Sequence, residues 1–222
     1  MNEFIDIFSG TDVDTVSSAV QLLILLTIFS LAPGILILLT SFTRTIIVLS
    51  FTRTSLATQQ MPPNQVLIGI ALFITFFVMA PTFQEINQEA LTPLMNDEIG
   101  LEEAYDRASG PIKQFMSNHT RQKDLQLFLN YTDTEPIETI EDIPLTALVP
   151  AFAISELKTA FTMGFLIFIP FLVIDMTVAS ILMSMGMMML PPVMISLPFK
   201  ILLFVLVDGW HLIIESLLSS FH

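Results

Sequence analysis

The side chains in this chain with the clearest chemical potential are methionines. Between Leu182 and Pro192 five methionines fall within seven residues, and Gly186 interrupts the run before Pro191-Pro192 ends it. Methionine is unbranched and polarizable, so it fills gaps of changing shape better than leucine or isoleucine. The run is consistent with a deformable seal and also with apolar packing between helices. On composition alone, packing is the favoured interpretation.

The same residues offer little support for metal binding or catalysis. Thioethers suit Cu(I), but no pair of His or Cys residues accompanies the methionines, and His119, His211 and His222 are scattered. The absence of cysteine excludes disulfides, thiol catalysis and cysteine metal sites. No nucleophile and base are arranged as in a hydrolase, and no glycine-rich phosphate loop is present. We therefore expect no enzyme activity and no cofactor.

A second chemical signal is a set of charges in or beside apolar stretches, namely Lys158, Asp175, Lys200, Asp208 and Glu215. A charge at the bilayer centre costs about 2.5–3.5 kcal/mol, so such residues need partners or a position outside the lipid. Neither Glu156 nor Lys200 has an obvious partner nearby in the sequence. We expect them to pair across the fold or between copies. The alternative is that both reach water along the membrane interface.

The elements that must position these residues are membrane-type helices. The chain is 53% hydrophobic and 13% charged, with a mean hydropathy of +0.75, and the charged fraction is about half that of soluble proteins. The net charge of −13 argues against a nucleic-acid partner. Four apolar blocks cover residues 15–43, 54–84, 159–174 and 176–207. The first two exceed the ~20 residues that span a bilayer.

Acidic residues and no basic residue precede the first block, unlike a secretory signal, so we expect that block to be retained. Interior prolines remove a backbone hydrogen bond and kink or end helices. We therefore predict proline-broken helical hairpins rather than four straight rods. The expected breaks or boundaries are Pro33-Gly34, Pro62-Pro63, Pro81, Pro170, Pro191-Pro192 and Pro198, with Pro111 and Pro136 bracketing a helix between the second and third blocks.

A polar, mostly acidic segment, residues 84–150, is inserted between the second and third blocks. Arg44 and Arg53 are the only basic residues in the linkers of the first half, and the positive-inside rule places that linker in the cytoplasm. Residues 84–150 then face outward, and the third and fourth blocks form a second hairpin.

Within this segment, residues 112–131 are predicted to be helical. Phe115 and Phe128 belong to two apolar sets that lie about 220° apart around a straight helix at ~100° per residue. Either the helix bends near Asn118 or the two sets meet different partners. The acidic, turn-rich residues 132–142 predict a loop.

Several long and unusual strings carry family information: Ser41-Phe42-Thr43-Arg44, Arg53-Thr54-Ser55-Leu56, Gln60-Met61-Pro62-Pro63-Asn64-Gln65, His119-Thr120-Arg121, Pro150-Ala151-Phe152, Ser155-Glu156-Leu157-Lys158-Thr159-Ala160-Phe161, Met185-Gly186-Met187-Met188-Met189-Leu190-Pro191-Pro192, Leu197-Pro198-Phe199-Lys200 and Asp208-Gly209-Trp210. With these strings the chain resembles the FliP family of flagellar type III export gate proteins, whose relatives in virulence systems form part of injectisome gates. The resemblance covers most of the chain from Arg44 to Trp210.

The resemblance implies that residues 1–222 form a single export gate domain with 84–150 as an outward-facing segment. It implies an all-α membrane protein that assembles as about five copies with FliQ and FliR into a helical pore complex. In that complex the hairpins are drawn largely out of the bilayer plane.

The resemblance also assigns roles to individual residues. Met187, Met188 and Met189 match a gasket around the closed pore, while Met183 and Met185 are expected only to pack the supporting helix. Positions matching Glu156 and Lys200 form a salt bridge between neighbouring subunits. Phe115 and Phe128 match positions in the outer segment that are linked to assembly.

The implied function is a pore-forming subunit in the bacterial cytoplasmic membrane at the flagellar basal body. It would pass unfolded flagellar proteins, working with the other flagellar export apparatus proteins, the proton motive force and a separate ATPase. A secondary transporter also fits broken helices and buried charges, although no inverted repeat is visible. A structural scaffold, with the methionines as interface filler, is the other alternative.

Overall fold

The computed structural model describes residues 13–58, 60–132, 139–140, 142–187 and 189–221, and within them every regular element is helical. This confirms the all-α prediction. In chain order the helices are α1 (Val13–Leu39), α2 (Phe42–Ser55), α3 (Asn64–Ile86), α4 (Thr92–Met95), α5 (Leu101–His119), α6 (Gln122–Leu129), α7 (Leu145–Ser184), α8 (Pro192–Leu206) and α9 (Gly209–Ser219), with a π-helical turn (Asn87–Leu91) between α3 and α4. The chain divides into two compact units, one ending at Leu38 and the other spanning Leu39–His222.

The described part of the first unit is α1 apart from its last residue. Most of the apolar side chains that the structure describes in it are exposed, among them Leu23, Phe29 and Leu31, each more than half accessible. The hydroxyl group of Thr27 donates to the Leu23 carbonyl oxygen at 2.8 Å, so this polar group is satisfied within the helix. A helix that is apolar over its exposed surface suits a lipid or protein environment.

The second unit is organised around α7, which packs against α2, α5, α6 and α8, while α2 also packs against α3. Its core lies where α3, α5 and the beginning of α7 meet. The buried members are Ile74, Val78, Met79, Phe115, Met116, Ile143, Leu148 and Phe152. The polar segment therefore folds back onto the apolar helices through α5.

Two continuous helical stretches are long and apolar enough to cross a membrane, Asn64–Met95 and Leu145–Ser184. Two further pairs meet the same criterion only when joined across a short break, and one of them, Pro192–Leu206 with Gly209–Ser219, bends by 63°. The described residues therefore provide two to four candidate spans. Large outward-facing side chains on α3, such as Phe73 at 80% exposed, fit this interpretation.

The prolines break fewer helices than predicted. Helices continue through most of them, so the breaks expected at Pro33, Pro81, Pro170 and Pro198 are absent. Where there is no water, a helix is the conformation that satisfies most backbone groups, and the loss of one hydrogen bond is tolerated. The two double prolines behave as predicted, because α3 starts at Asn64 and α8 at Pro192.

The helix in the polar segment starts earlier than predicted. Because α5 begins at Leu101, Pro111 lies inside it, and the prediction that this proline marks the helix start is wrong. The bend near Asn118 is confirmed, since α5 ends at His119 and the backbone of Thr120 is extended. Pro136 and most of the predicted loop lie outside the described residues.

Candidate functional site

Glu156 and Arg44 form an ion pair in the interior of the second unit. Arg44 lies in the first turn of α2 and Glu156 lies in α7, and their side chains are 3% and 0% exposed. The Nε of Arg44 donates to Oε2 of Glu156 at 2.9 Å, and its Nη2 donates to Oε1. Two parallel N–H···O bonds match the planar guanidinium to the carboxylate, so the pair fixes α2 against α7 in one orientation.

The remaining nitrogen of Arg44 contacts the turn after α9. Its Nη1 donates to the carbonyl oxygen of Ser220 at 2.7 Å and to the hydroxyl oxygen at 2.9 Å. The Phe221 ring centroid lies 3.9 Å from Cζ of Arg44, which is a cation–π contact. One guanidinium therefore joins α2, α7 and the end of α9.

A second polar group lies next to this pair. The Ser155 hydroxyl group donates to Oδ2 of Asp124 at 2.6 Å and accepts from the Arg121 backbone N–H at 3.0 Å, and Nε of Arg121 donates to the same Oδ2 at 2.8 Å. Burial raises the pKa of Asp124, but the Ser155 hydrogen bond and the Arg121 guanidinium outweigh it and hold the pKa below its usual value. The ionised Asp124 therefore links α6 to α7.

Lys200 in α8 forms the second buried ion pair. Its Nζ donates to Oδ2 of Asp175 at 2.6 Å and to the carbonyl oxygen of Ser55 at 3.1 Å. The Ser196 hydroxyl group donates to the other carboxylate oxygen at 2.5 Å. Because Ser55 is the last residue of α2, the ammonium group also binds a carbonyl that has no partner within that helix. The pair joins the end of α2 to α7 and α8.

Glu156 and Lys200 are thus each paired with another residue of the same chain. Asp175, the partner of Lys200, lies about 28 Å from Glu156 along α7 at 1.5 Å per residue. The two pairs also contact opposite ends of α2. The predicted Glu156–Lys200 salt bridge is therefore not made within the single copy, and its formation between copies stays a prediction.

The methionine run forms the turn between α7 and α8. Gly186 follows the end of α7 with φ at 74°, a left-handed conformation that glycine adopts without strain. The Gly186 N–H donates to the Met183 carbonyl oxygen, and the Met187 N–H donates to that of Leu182, both at 3.0 Å. These bonds define a Schellman motif, which fixes Met187 relative to the end of α7.

The predicted gasket residues have different surroundings. Met187 is 44% exposed and lines an apolar groove between α7 and α8, whereas Met189 is 98% exposed. Met188 lies outside the described residues. Met183 and Met185, expected to pack the supporting helix, are largely exposed in this single copy. The described part of the run therefore offers a soft apolar surface.

The two aromatic residues linked to assembly also differ. Phe115 is buried in the core, and its ring centroid lies 6.0 Å from that of Phe152. Phe128 in α6 is half-buried and does not belong to that core. Replacing Phe115 therefore affects the fold of one copy, while Phe128 leaves part of its ring available to a partner.

Sequence reasoning missed the partners of both predicted site residues. The positive-inside interpretation treats Arg44 as a cytoplasmic cation, whereas the structure buries it. The predicted orientation in the membrane therefore depends on Arg53. A signal was nevertheless present, because Arg44 and Asp175 border apolar blocks as Glu156 and Lys200 do. Two cations and two anions can be matched in only two ways, and one of these ways gives the observed pairs.

Known proteins resemble this chain over nearly its whole length. A profile described as the FliP family matches residues 25–217. The flagellar biosynthetic protein FliP of Bacillus subtilis (strain 168) is 75% identical over 221 residues, which cover 100% of both chains. The proteins of that name from Caulobacter vibrioides and Aquifex aeolicus are 52% and 51% identical, over 98% and 91% of this chain and 82% and 86% of theirs.

Proposed function

Because this chain belongs to the FliP family, we propose that it is a pore-forming subunit of the flagellar type III protein export gate in the bacterial cytoplasmic membrane. About five copies, together with FliQ and FliR, surround a pore through which unfolded flagellar proteins leave the cell. The methionine turn of each copy contributes to a seal that closes this pore between substrates.

The observation that carries the proposal is the geometry of the methionine turn. A Schellman motif holds the start of the turn rigidly, while Met189 extends from it with its side chain almost fully exposed. A ring of such turns would bring flexible thioether side chains together around one axis. Flexible apolar side chains exclude water when they meet and adapt to a polypeptide of any sequence that separates them.

The exposed apolar surface of the second unit supports a multi-copy assembly in a membrane. Phe73 and Phe77 on α3 and Phe165 on α7 are each more than 60% exposed. Exposed apolar side chains of this size on membrane-type helices fit contacts with lipid or with other subunits. In the proposed assembly, Glu156 of one copy also meets Lys200 of its neighbour, and Phe128 lies at a contact in the outer segment.

The test of the seal is ion flux through the purified complex in lipid vesicles. With Met187, Met188 and Met189 all replaced by alanine, we expect the complex to assemble and small ions to leak through it, because three short side chains per copy cannot close the gap.

The matched control replaces Met183 and Met185 by alanine in the same run, and this variant should remain ion-tight. If the triple variant holds ions as well as the unaltered complex does, the seal is disproved and the scaffold interpretation gains. A leak of equal size in both variants would contradict the assignment of the seal to Met187, Met188 and Met189 in particular.

A further inference from the structure

Lys158 is an exposed cation on an apolar helix face. It lies in α7, inside a candidate membrane span, and the residues that share its face, Ile154, Phe161 and Phe165, are at least 40% exposed. Among the residues that the structure describes, its ammonium group has no hydrogen-bond or ion-pair partner. A lysine in this position needs an anionic partner from outside the chain or a route to the membrane interface.

Glu215 on α9 is an exposed anion with the same lack of a partner. One face of α9 is turned inward, with Leu217 fully buried and Ile214 and Leu218 against the core. The opposite face carries Glu215 and Leu212, both exposed. Within the described part of the chain, no donor contacts the Glu215 carboxylate.

Arg44 shows that these two charges lie at nearly the same level. Its guanidinium contacts both Glu156 and Ser220. Lys158 is about 3 Å along α7 from Glu156, and Glu215 is about 8 Å along α9 from Ser220, at 1.5 Å per residue. Long side chains bridge an axial difference of this size.

We propose that Lys158 of one copy pairs with Glu215 of the neighbouring copy, and that the apolar side chains around them form the surrounding interface. This inference rests on the multi-copy assembly of the proposed function. The contact joins two different faces of the same unit, so it is heterologous, the kind of contact that closes copies into a ring. Both charges lie near the residues that Arg44 joins, so this contact places that part of α7 in one copy beside α9 of the next.

Charge complementarity favours a second copy over lipid as the occupant of this face. A lipid phosphate would neutralise Lys158 but would leave the Glu215 carboxylate without a counter-ion. One contact between copies satisfies both. Asp208, which is also exposed and directly precedes α9, lies about 10 Å from Glu215 along the helix direction and serves as a matched control.

The natural absence of cysteine makes cross-linking the direct test. Two differently tagged full-length chains, one with Lys158→Cys and one with Glu215→Cys, are produced together with the other export apparatus proteins. A short bismaleimide is preferable to oxidation, because a lysine–glutamate pair holds its Cα atoms farther apart than the ~4.4–6.8 Å of a disulfide. We expect a mixed-tag dimer, and its loss when Asp208→Cys replaces Glu215→Cys.

The outcomes separate this inference from the proposed function. If the multi-copy complex forms at its normal mass but no mixed-tag dimer exceeds the Asp208 control, the Lys158–Glu215 contact is disproved and the multi-copy gate stands. If the unaltered chain forms no multi-copy complex, both fail. As an independent readout, Lys158→Glu and Glu215→Lys should each reduce the yield of complex, and the combination should restore it. Lack of restoration would count against the pair.

Discussion

The two buried ion pairs of the second unit do the same electrostatic task with different chemistry. Arg44 binds Glu156 through two parallel bonds, and both side chains are fully enclosed. Lys200 binds Asp175 through a single nitrogen, and the Asp175 side chain is 21% exposed. A guanidinium is a rigid planar fork, whereas an ammonium group is a point charge on a flexible chain. The first pair defines an orientation, and the second supplies charge balance with more freedom.

This difference indicates which residue, Lys200 or Glu156, could more easily leave its partner within the chain and pair with a neighbouring copy. Lys200 leaves behind a carboxylate that is only partly enclosed and still accepts a hydrogen bond from Ser196. Glu156 leaves behind a buried guanidinium whose remaining contacts are Ser220 and Phe221. An exchange of partners on assembly therefore costs more at Glu156 than at Lys200.

The largest expected effect comes from Arg44→Ala. It leaves the Glu156 charge buried without a partner, and removing one member of a buried pair costs about 3–5 kcal/mol. We expect a loss of that size in the free energy of unfolding of the purified protein in detergent. Lys200→Ala should lose less, about 1–3 kcal/mol, because Asp175 is less enclosed than Glu156 and keeps its hydrogen bond from Ser196.

Arg53→Ala is the matched control, since Arg53 lies in the same helix and is only half-buried. Its effect should stay below about 1 kcal/mol. Equal losses for Arg44→Ala and Arg53→Ala would remove the distinction between the fixed pair and the surrounding charges.

The next test, intermediate in expected effect, exchanges the charges of Glu156 and Lys200. Glu156→Lys should abolish assembly, and adding Lys200→Glu should restore it, measured as the yield of multi-copy complex. Within one chain this double variant sets a second positive charge against Arg44 and a second negative charge against Asp175, so like charges meet at both pairs. Recovery could therefore come only from contact between copies.

The combination of Glu156→Lys with Arg44→Glu is the control for the fold of one chain, because it reverses the observed pair. If this combination restores the complex while the exchange with Lys200 does not, the result counts against the salt bridge between copies and favours a role of Glu156 within its own chain.

The smallest effect is expected at Ser155, the neighbour of Glu156. Its hydrogen bond helps to hold the Asp124 pKa below the ordinary value of 3.8. Ser155→Ala should cost about 1 kcal/mol at neutral pH. A lowered folded-state pKa gives stability that is complete above the unfolded-state pKa and is lost as the pH falls through the folded-state value.

The difference between Ser155→Ala and the unaltered protein should therefore shrink as the pH falls below about 3.8, as measured by unfolding across an acidic pH series. Asp124→Asn, which cannot titrate, is the control and should make the Ser155 effect independent of pH. A pH-independent difference in the presence of Asp124 would contradict the proposed network.

Local patterns predicted much of the fold. Apolar runs located α3 and the middle of α7, although α7 continues through Asp175, where the third block was predicted to end and the fourth to begin. The two double prolines located the starts of α3 and α8, and the positions of Phe115 and Phe128 indicated the bend after Asn118. Single prolines misled the prediction because their effect depends on the surroundings. Pro81 costs α3 one hydrogen bond, which is less than the cost of exposing the backbone in an apolar environment.

The partners in the candidate site depend on contacts that no local pattern contains. Arg44 and Glu156 are 112 residues apart, and Lys200 and Asp175 are 25 residues apart. Their charges were visible in the sequence, but only the packing of α2 against α7 and α8 determines which cation meets which anion. The Schellman motif at Gly186 is the opposite case, since a glycine just after an apolar helix predicts it locally.

The position of Arg44 also has a consequence for biosynthesis. Its partners lie 112 and 176 residues later in the chain, so α2 leaves the ribosome long before either of them. At ~5–20 residues per second, the arginine waits about 9–35 s for Ser220 to be synthesised. During that interval the guanidinium needs water or an insertion factor as a temporary host. The start of α2 can therefore reach its final place only after translation has delivered α9.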